Sequence, residues 1–232
     1  MLLPLERPIM SVAHQMRPIR KPLRIATMLL ATAIALVSYR YLADVGPMPS
    51  TIVANLFARP WLLVHVAGAS TALLIGSVQF SGALRSRWPQ VHRILGRVYV
   101  LGCLVGGLSG LVLAFGSTAG PIATAGFGLL GVAWITVNVQ GWRYALLRRF
   151  PEHRGWMIRS WALTLSAVTL RVYLPLVPLL GLPFLESYRA ISFLAWVPNL
   201  IVAEAYLRGW RLPGLQAAPV GGSILNAVPR LV

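Results

Sequence analysis

Acidic residues are scarce in this chain, which has five Asp and Glu against 21 Lys and Arg among 232 residues. This scarcity argues against catalysis by paired carboxylates, since only Glu152 and Glu204 are expected near the clustered histidines. The formal net charge of +16 would suggest a nucleic-acid partner, but the basic residues cluster at the ends of apolar runs. We therefore expect no nucleic-acid partner. We attribute the positive charge to the orientation of the chain in the membrane and to attraction by anionic lipid headgroups.

Cysteine is almost absent as well. The single cysteine, Cys103, lies inside an apolar run, which excludes an intrachain disulfide and a cysteine-based metal cluster. Phosphate loops, dinucleotide fingerprints, zinc-protease helices and nucleophile elbows are also missing from the sequence. Charged residues make up 11% of the chain and hydrophobic residues 57%, whereas a soluble domain has about a quarter charged residues. The composition therefore predicts a protein embedded in a membrane.

Six apolar runs are long enough to cross about 30 Å of hydrocarbon as helices. They predict an all-α, polytopic bundle of transmembrane helices. The runs do not alternate between apolar and polar residues, which argues against a β-barrel. No span is expected to be broken at its middle, although Pro175 and Pro178 weaken the outer end of the fifth. The predicted spans one to six are Leu23 to Leu42, Trp61 to Ala83, Ile94 to Phe115, Ala123 to Leu146, Met157 to Leu180 and Ala190 to Leu207.

Basic residues alternate between the predicted connections. The N-terminal arm, the second and fourth connections and the C-terminal end are basic, whereas the other connections carry few positive charges. By the positive-inside rule we expect both termini in the cytoplasm of a bacterial cell, with the bundle in the inner membrane. The predicted organisation is a basic arm over residues 1–22, a six-span domain over 23–207 and a cytoplasmic tail over 208–232. Its Pro, Gly and Ala content predicts that the tail is disordered.

Spans two, three and five carry small and polar residues at helical spacing. Gly102, Gly106 and Gly110 recur every four residues in span three, which predicts a central helix that a neighbour can approach closely. Spans two and five each carry a polar stripe that we expect to face the interior of the bundle. These stripes are His65, Gly68, Ala69, Gly76 and Gln79 on span two, and His153, Ser160, Thr164, Ala167 and Arg171 on span five.

Two connections share a motif. Residues 87–93 and 149–154 both contain an arginine, an aromatic residue, a proline, an amide or acid, and then His-Arg. Another arginine follows about one turn later in each case, at Arg97 and Arg159. The motif predicts an internal repeat of two tandem helical hairpins related by an axis along the membrane normal, with both His-Arg pairs at the cytoplasmic face.

Over about Trp61 to Leu207 the chain resembles a bacterial family of predicted membrane proteins catalogued as domain of unknown function 2306. The resemblance implies a multi-pass membrane protein and does not imply a particular activity. It rests on His65, His92-Arg93 with Gly96-Arg97, His153-Arg154 with Trp156-Met157-Ile158-Arg159-Ser160, Thr169-Leu170-Arg171, and Asn199-Leu200 with Ala203-Glu204.

His92 and His153 are the candidate ligands of a haem b, because histidines on facing helices hold haem in membrane bundles. His65 would lie about 25 Å from His92 by helix rise, so one iron cannot use both. The candidate propionate partners are Arg93, Arg97, Arg154 and Arg159. Lipid headgroups are the simplest alternative partners of these arginines, and a bound phosphate or carboxylate, or Glu204 as an internal counter-ion, are the others. No metal other than a haem iron is expected.

Ionisable and polar residues inside a bilayer are costly unless they are partnered, so each one is a candidate functional residue. The intramembrane set is His65, Gln79, Arg171, Asn199 and Glu204. These residues leave three interpretations open. A redox role with haem b or a quinone is preferred, and a small transporter or proton-coupled channel is the second interpretation. The third is a scaffold or accessory subunit that binds lipid, a second copy of the chain or another membrane subunit.

Overall fold

The computed structural model describes residues 17–80 and 82–209, and in that part of the chain 83% of residues are helical and no strand occurs. Most of the predicted basic arm, including its one histidine, His14, and most of the predicted C-terminal tail lie outside these residues. A 3-10 turn at Tyr39–Tyr41 follows the first helix. The helices are α1 (Arg17–Ser38), α2 (Ser50–Val53), α3 (Ala58–Gln79), α4 (Gly82–Arg87), α5 (Pro89–Phe115), α6 (Pro121–Leu146), α7 (Phe150–Thr164), α8 (Ser166–Leu179), α9 (Phe184–Leu194) and α10 (Val197–Leu207).

The described residues contain six segments long and apolar enough to cross a membrane, so the predicted number of spans is confirmed. Several begin earlier than their apolar runs, because prolines at the first helical turn of α5, α6 and α7 start the helix before the apolar residues begin. The six segments are Pro22–Tyr41, Ala58–Gln79, Pro89–Phe115, Pro121–Leu146, Phe150–Leu179 and Phe184–Leu207.

Large apolar side chains cover the outside of these segments. Leu29, Leu101, Leu129 and Ile201 are each more than half exposed. In water such a surface would be an aggregation hazard, whereas lipid tails solvate it without penalty. The exterior therefore agrees with the confirmed multi-pass architecture.

α5 is the central helix, as its glycine spacing predicted, and it packs against both α3 and α6. Gly68 of α3 faces Gly102 and Gly106 of α5 so closely that a Cβ at Gly68 would lie 2.7 Å from the Gly106 nitrogen and 2.8 Å from the Gly102 oxygen. The two backbones are thus in van der Waals contact, which only glycine permits. A buried core that includes Tyr99 and Cys103 fills the space between α3, α5, α6 and α7.

Spans five and six are interrupted, so the prediction that no span is broken at its middle is wrong. Span five breaks between α7 and α8 at Leu165, and span six breaks between α9 and α10 at Ala195 and Trp196. In span six Pro198 lacks an amide hydrogen, and its ring excludes a continuous helix across the preceding turn. In span five the Thr164 hydroxyl donates to the Ser160 carbonyl at 2.8 Å, a side-chain bond within the helix that bends it.

Candidate functional site

His92 and His153 occupy equivalent positions at one end of the bundle. Each is the fourth residue of its helix, and its amide donates to the residue just before that helix, Trp88 or Arg149, at 3.0 Å. His92 and His153 thus belong to the same end of the bundle, and His153 contributes to the electrostatic environment of His92. We call this end, where α3 and α10 end and α5 and α7 begin, the basic end. Its arginines include Arg85, Arg87, Arg93, Arg97, Arg149, Arg154 and Arg159.

The histidine rings at the basic end are held differently. His153 pairs through Nδ1 with the Gly141 carbonyl of α6 at 2.8 Å, and Nδ1 must donate because the carbonyl can only accept. Its Nε2 is therefore the nitrogen that can accept or ligate. His92 has a buried Nδ1 with no hydrogen-bond partner among the described residues. Gln79 lies beside it: Nε2 of Gln79 donates to the His92 carbonyl at 2.7 Å, and Oε1 of Gln79 is also buried without a partner.

The arginines predicted to meet an anion divide into two groups. Arg93, Arg97 and Arg154 are exposed and form no ion pair with any carboxylate that the structure describes. Arg159 is half-buried, and its Nη2 donates to Oε2 of Glu204 at 3.1 Å while Nε donates to Oε1. Glu204 is thus the internal counter-ion of Arg159, one of the alternatives that the sequence left open.

A polar network crosses the middle of the bundle. The Tyr99 hydroxyl hydrogen-bonds to the hydroxyls of Ser160 at 2.8 Å and Thr164 at 2.9 Å, and Trp134 Nε1 donates to the Thr164 hydroxyl at 3.0 Å. Ser160 donates to Oδ1 of Asn138 at 2.9 Å. All five side chains are buried. The stripe on span five correctly placed Ser160 and Thr164 inside, but sequence reasoning missed their partners because apolar residues surround each one in the sequence.

A cavity of about 340 Å³ lies toward the other end of the bundle, where α5 ends and α6 begins. That volume is in the range of small-molecule sites. Its walls come from α3, α5, α6, α8 and the segment that contains α2. Most of the lining is apolar, and the exposed residues Pro49 and Arg171 at its boundary connect it with the outside of the protein.

His65 and Arg171 both line this cavity, as their similar predicted depths implied. His65 Nδ1 pairs with the Gly106 carbonyl at 2.8 Å, which leaves its Nε2 without a hydrogen bond among the described residues. Arg171 donates from Nη1 to the Ala167 carbonyl and from Nη2 to the Ser38 hydroxyl, both at 2.9 Å. Neither acceptor carries a charge.

The other intramembrane polar residues lie elsewhere. Gln79 is at the basic end, about 21 Å from His65 by the rise of α3. Asn199 of α10 donates to the Thr169 hydroxyl at 3.0 Å and to the Ala162 carbonyl at 3.3 Å, so it joins α10 to α7 and α8. Neither residue lines the cavity. A single path lined by His65, Arg171, Asn199 and Gln79 is therefore not what the structure assembles.

One comparison with known proteins gives a match. A family model described as predicted membrane protein (DUF2306) matches residues 62–207, which is more than half of the chain. No curated protein and no solved structure matches. The matched range begins within α3 and ends with α10, so it contains both candidate histidines of the basic end and both ionisable residues of the cavity.

Proposed function

We propose that this chain, which belongs to the DUF2306 family of predicted membrane proteins, is an electron-transfer protein that holds haem b between His92 and His153. We also propose that it resides in the bacterial inner membrane with its basic end in the cytoplasm and against anionic headgroups. The observation that supports the haem is that two histidines in equivalent positions, near the starts of α5 and α7, lie at the same end of the bundle.

The residues at the basic end fit a haem. His153 already has its Nδ1 bound to a backbone carbonyl, the arrangement that commonly orients an iron-ligating imidazole. The buried Nδ1 of His92 lacks a partner, and the unpartnered Oε1 of Gln79 on the adjoining helix is an acceptor of the kind such a ring needs. Arg93, Arg97 and Arg154 would hold the propionates, since Arg159 is already paired with Glu204.

When bound, haem supplies one-electron reduction and oxidation of its iron. The chain's own contribution would be to orient both imidazole rings and to offer positive charge to the propionates. Three cations at one end that have no carboxylate partner among the described residues would also favour the reduced, more electron-rich state of the iron.

An absorption spectrum of the full chain, purified after haem-supplemented expression, tests the proposal. We expect a Soret band that shifts on reduction with dithionite, and a pyridine haemochrome spectrum of the b type. His92→Ala and His153→Ala should each lose the band while remaining monodisperse in size-exclusion chromatography.

His65→Ala is the matched control, because His65 also holds a glycine carbonyl through Nδ1 but lies away from the basic end. It should retain the Soret band. A colourless wild-type preparation, or a band that disappears only in His65→Ala, would overturn the assignment to His92 and His153.

Transport is a second candidate, and the two broken spans favour it. Thr164 and Ser166, which flank the break in span five, and Ala195, in the break in span six, all line the cavity. Broken helices around a central cavity are characteristic of secondary transporters. In proteoliposomes, Arg171→Ala should abolish uptake of a transported solute, and unchanged flux for every solute tested would remove this candidate.

A further inference from the structure

The geometry points to the cavity as a binding site for a single-chain amphiphile with an anionic headgroup, which pairs with Arg171. The proposal is independent of the haem, because the cavity and the basic end share no side chain. It rests on three observations: a cation without a carboxylate partner among the described residues, several polar neighbours that already have partners, and an apolar wall adjoining the cation.

Arg171 has no carboxylate partner among the described residues. It lies eight residues before the end of α8, about 12 Å along the helix axis. Of the described acidic residues, Asp44, Glu152 and Glu204 pair with other arginines, and Glu186 forms no ion pair with a described residue. A guanidinium at this depth with two neutral acceptors costs free energy that a bound anion would recover.

Several of the other polar residues around the cavity already form hydrogen bonds. Asn55 donates to the Leu113 carbonyl at 2.7 Å and accepts from the Phe57 amide at 2.9 Å. The Tyr41 hydroxyl accepts from Arg40 at 3.1 Å, and Thr164 belongs to the central network. Arg171 is the cation on this wall, and its remaining donors are available to a ligand, together with Nε2 of His65 and the hydroxyls of Tyr41 and Ser166.

The rest of the wall has the character of an acyl-chain site. Leu62, Val66, Leu163, Leu170 and Leu174 all line the cavity, and Trp134 adds an aromatic surface. A small inorganic anion would neutralise Arg171 but leave this apolar surface empty. A neutral lipid would cover the apolar surface but leave the charge of Arg171 without an anionic partner. A single molecule that satisfies both requirements has an acidic group at one end and a hydrocarbon chain at the other.

Trp134 gives this proposal a direct measurement, since bromine atoms quench tryptophan fluorescence on contact. The full chain is placed in phosphatidylcholine nanodiscs and titrated with 9,10-dibromostearate or with its methyl ester. We expect saturable quenching by the acid with an affinity about tenfold or more above that of the ester. A dibromo-acyl lysophosphatidate in a third titration distinguishes a carboxylate from a phosphate headgroup.

Arg171→Gln removes the charge and keeps polar atoms for Ser38, so it should bring the acid to the affinity of the ester. Arg171→Lys should retain a preference for the acid. Trp134→Phe should remove most of the saturable quenching. Arg189→Ala is the matched control: Arg189 bonds to the Ala119 carbonyl at 2.8 Å in the same half of the bundle but does not line the cavity.

Equal affinities for acid and ester in the wild type, or unchanged acid binding in Arg171→Gln, would overturn the proposal. His92→Ala should bind the acid normally. The haem test can therefore fail while the acid binds to the cavity, or succeed while the acid does not bind, and either result separates the two proposals.

Discussion

The two ends of the bundle use the same pair of side-chain types, histidine and arginine, in opposite surroundings. At the basic end several arginines are exposed, and two histidines from different helices lie at the same end of the bundle. At the cavity a single arginine, at the cavity boundary, and a single histidine adjoin a mostly apolar wall. His153 and His65 are even held alike, each by a glycine carbonyl of the neighbouring helix at 2.8 Å.

The difference therefore lies in the neighbours and not in the histidines. A ring next to a second ring and many exposed cations suits a ligand that takes two nitrogens and carries its own acidic groups. A ring next to one uncompensated cation and a hydrocarbon wall suits a ligand with one acidic group and an apolar remainder. The same imidazole on the same scaffold is thus expected to serve two kinds of chemistry.

The substitution with the largest expected effect should abolish ligand binding at both ends of the bundle. α3 carries His65 to the cavity and Gln79 to the basic end, and its contact with α5 fixes both. Gly68→Leu would place a side chain against the backbone at Gly102 and Gly106, where overpacking costs about 1–3 kcal/mol or more. We expect a lower unfolding temperature in detergent, with neither the Soret band nor saturable quenching by dibromostearate.

Gly128→Leu in α6 is its control, because a Cβ at Gly128 has no atom within 4 Å. The control should unfold like the wild type. If Gly68→Leu keeps both activities, the two ends do not depend on a common α3–α5 contact.

A smaller effect should separate stability from both sites. Tyr99→Phe removes the hydroxyl shared by Ser160 and Thr164 and leaves buried polar atoms with fewer partners, which costs about 1–3 kcal/mol. The unfolding temperature should fall while the Soret band and the affinity for dibromostearate stay unchanged. Tyr206→Phe, at an exposed residue of α10, should change neither. Loss of either ligand at wild-type stability would instead make the network part of that site.

The smallest effect concerns the basic end alone. Glu204→Gln leaves Arg159 without its carboxylate. The side chains of Arg159 and Glu204 are 25% and 28% exposed, so water still screens the pair, and its loss should lower the free energy of unfolding by about 1 kcal/mol. We expect a small fall in unfolding temperature that shrinks at high salt, with binding at the cavity unaffected. Asp44→Asn is the control, since the Asp44–Arg59 pair is 53% and 65% exposed on its Arg and Asp sides. A larger change in Asp44→Asn would contradict this ranking of the two pairs.

The sequence predicted the features that depend on local composition. Apolar runs located the six spans, and the glycine spacing identified α5 as the central helix. The stripe on span five put Thr164, Ala167 and Arg171 on one face, and all three line the cavity. The two His-Arg motifs have equivalent helix starts, while the internal repeat and the membrane orientation stay predictions.

Features that depend on packing between distant segments could not be predicted. The cavity combines residues near positions 50, 65, 110, 130 and 170, and no local pattern marks that combination. The Tyr99 network joins three helices through hydroxyls that are unremarkable in isolation. Pro198 was a usable signal for the break in span six. Leu165 has no proline or glycine beside it, and the bond from the Thr164 hydroxyl to the Ser160 carbonyl that bends span five has no marker in the sequence.

The backbone contact at Gly68 divides the cavity wall into a fixed part and an adjustable part. α3 and α5 cannot slide or separate without losing that contact, whereas α8 and α9 each adjoin a break in their span and meet one another across a separate apolar cluster around Val177 and Ile191. A change in cavity volume that keeps this contact must come from the other walls, which include α6, α8 and the segment that contains α2. Of these, α8 adjoins a break and carries Arg171, whereas His65 lies on the fixed α3–α5 pair. The distance between a label on α8 and one on α3 would therefore report such a change.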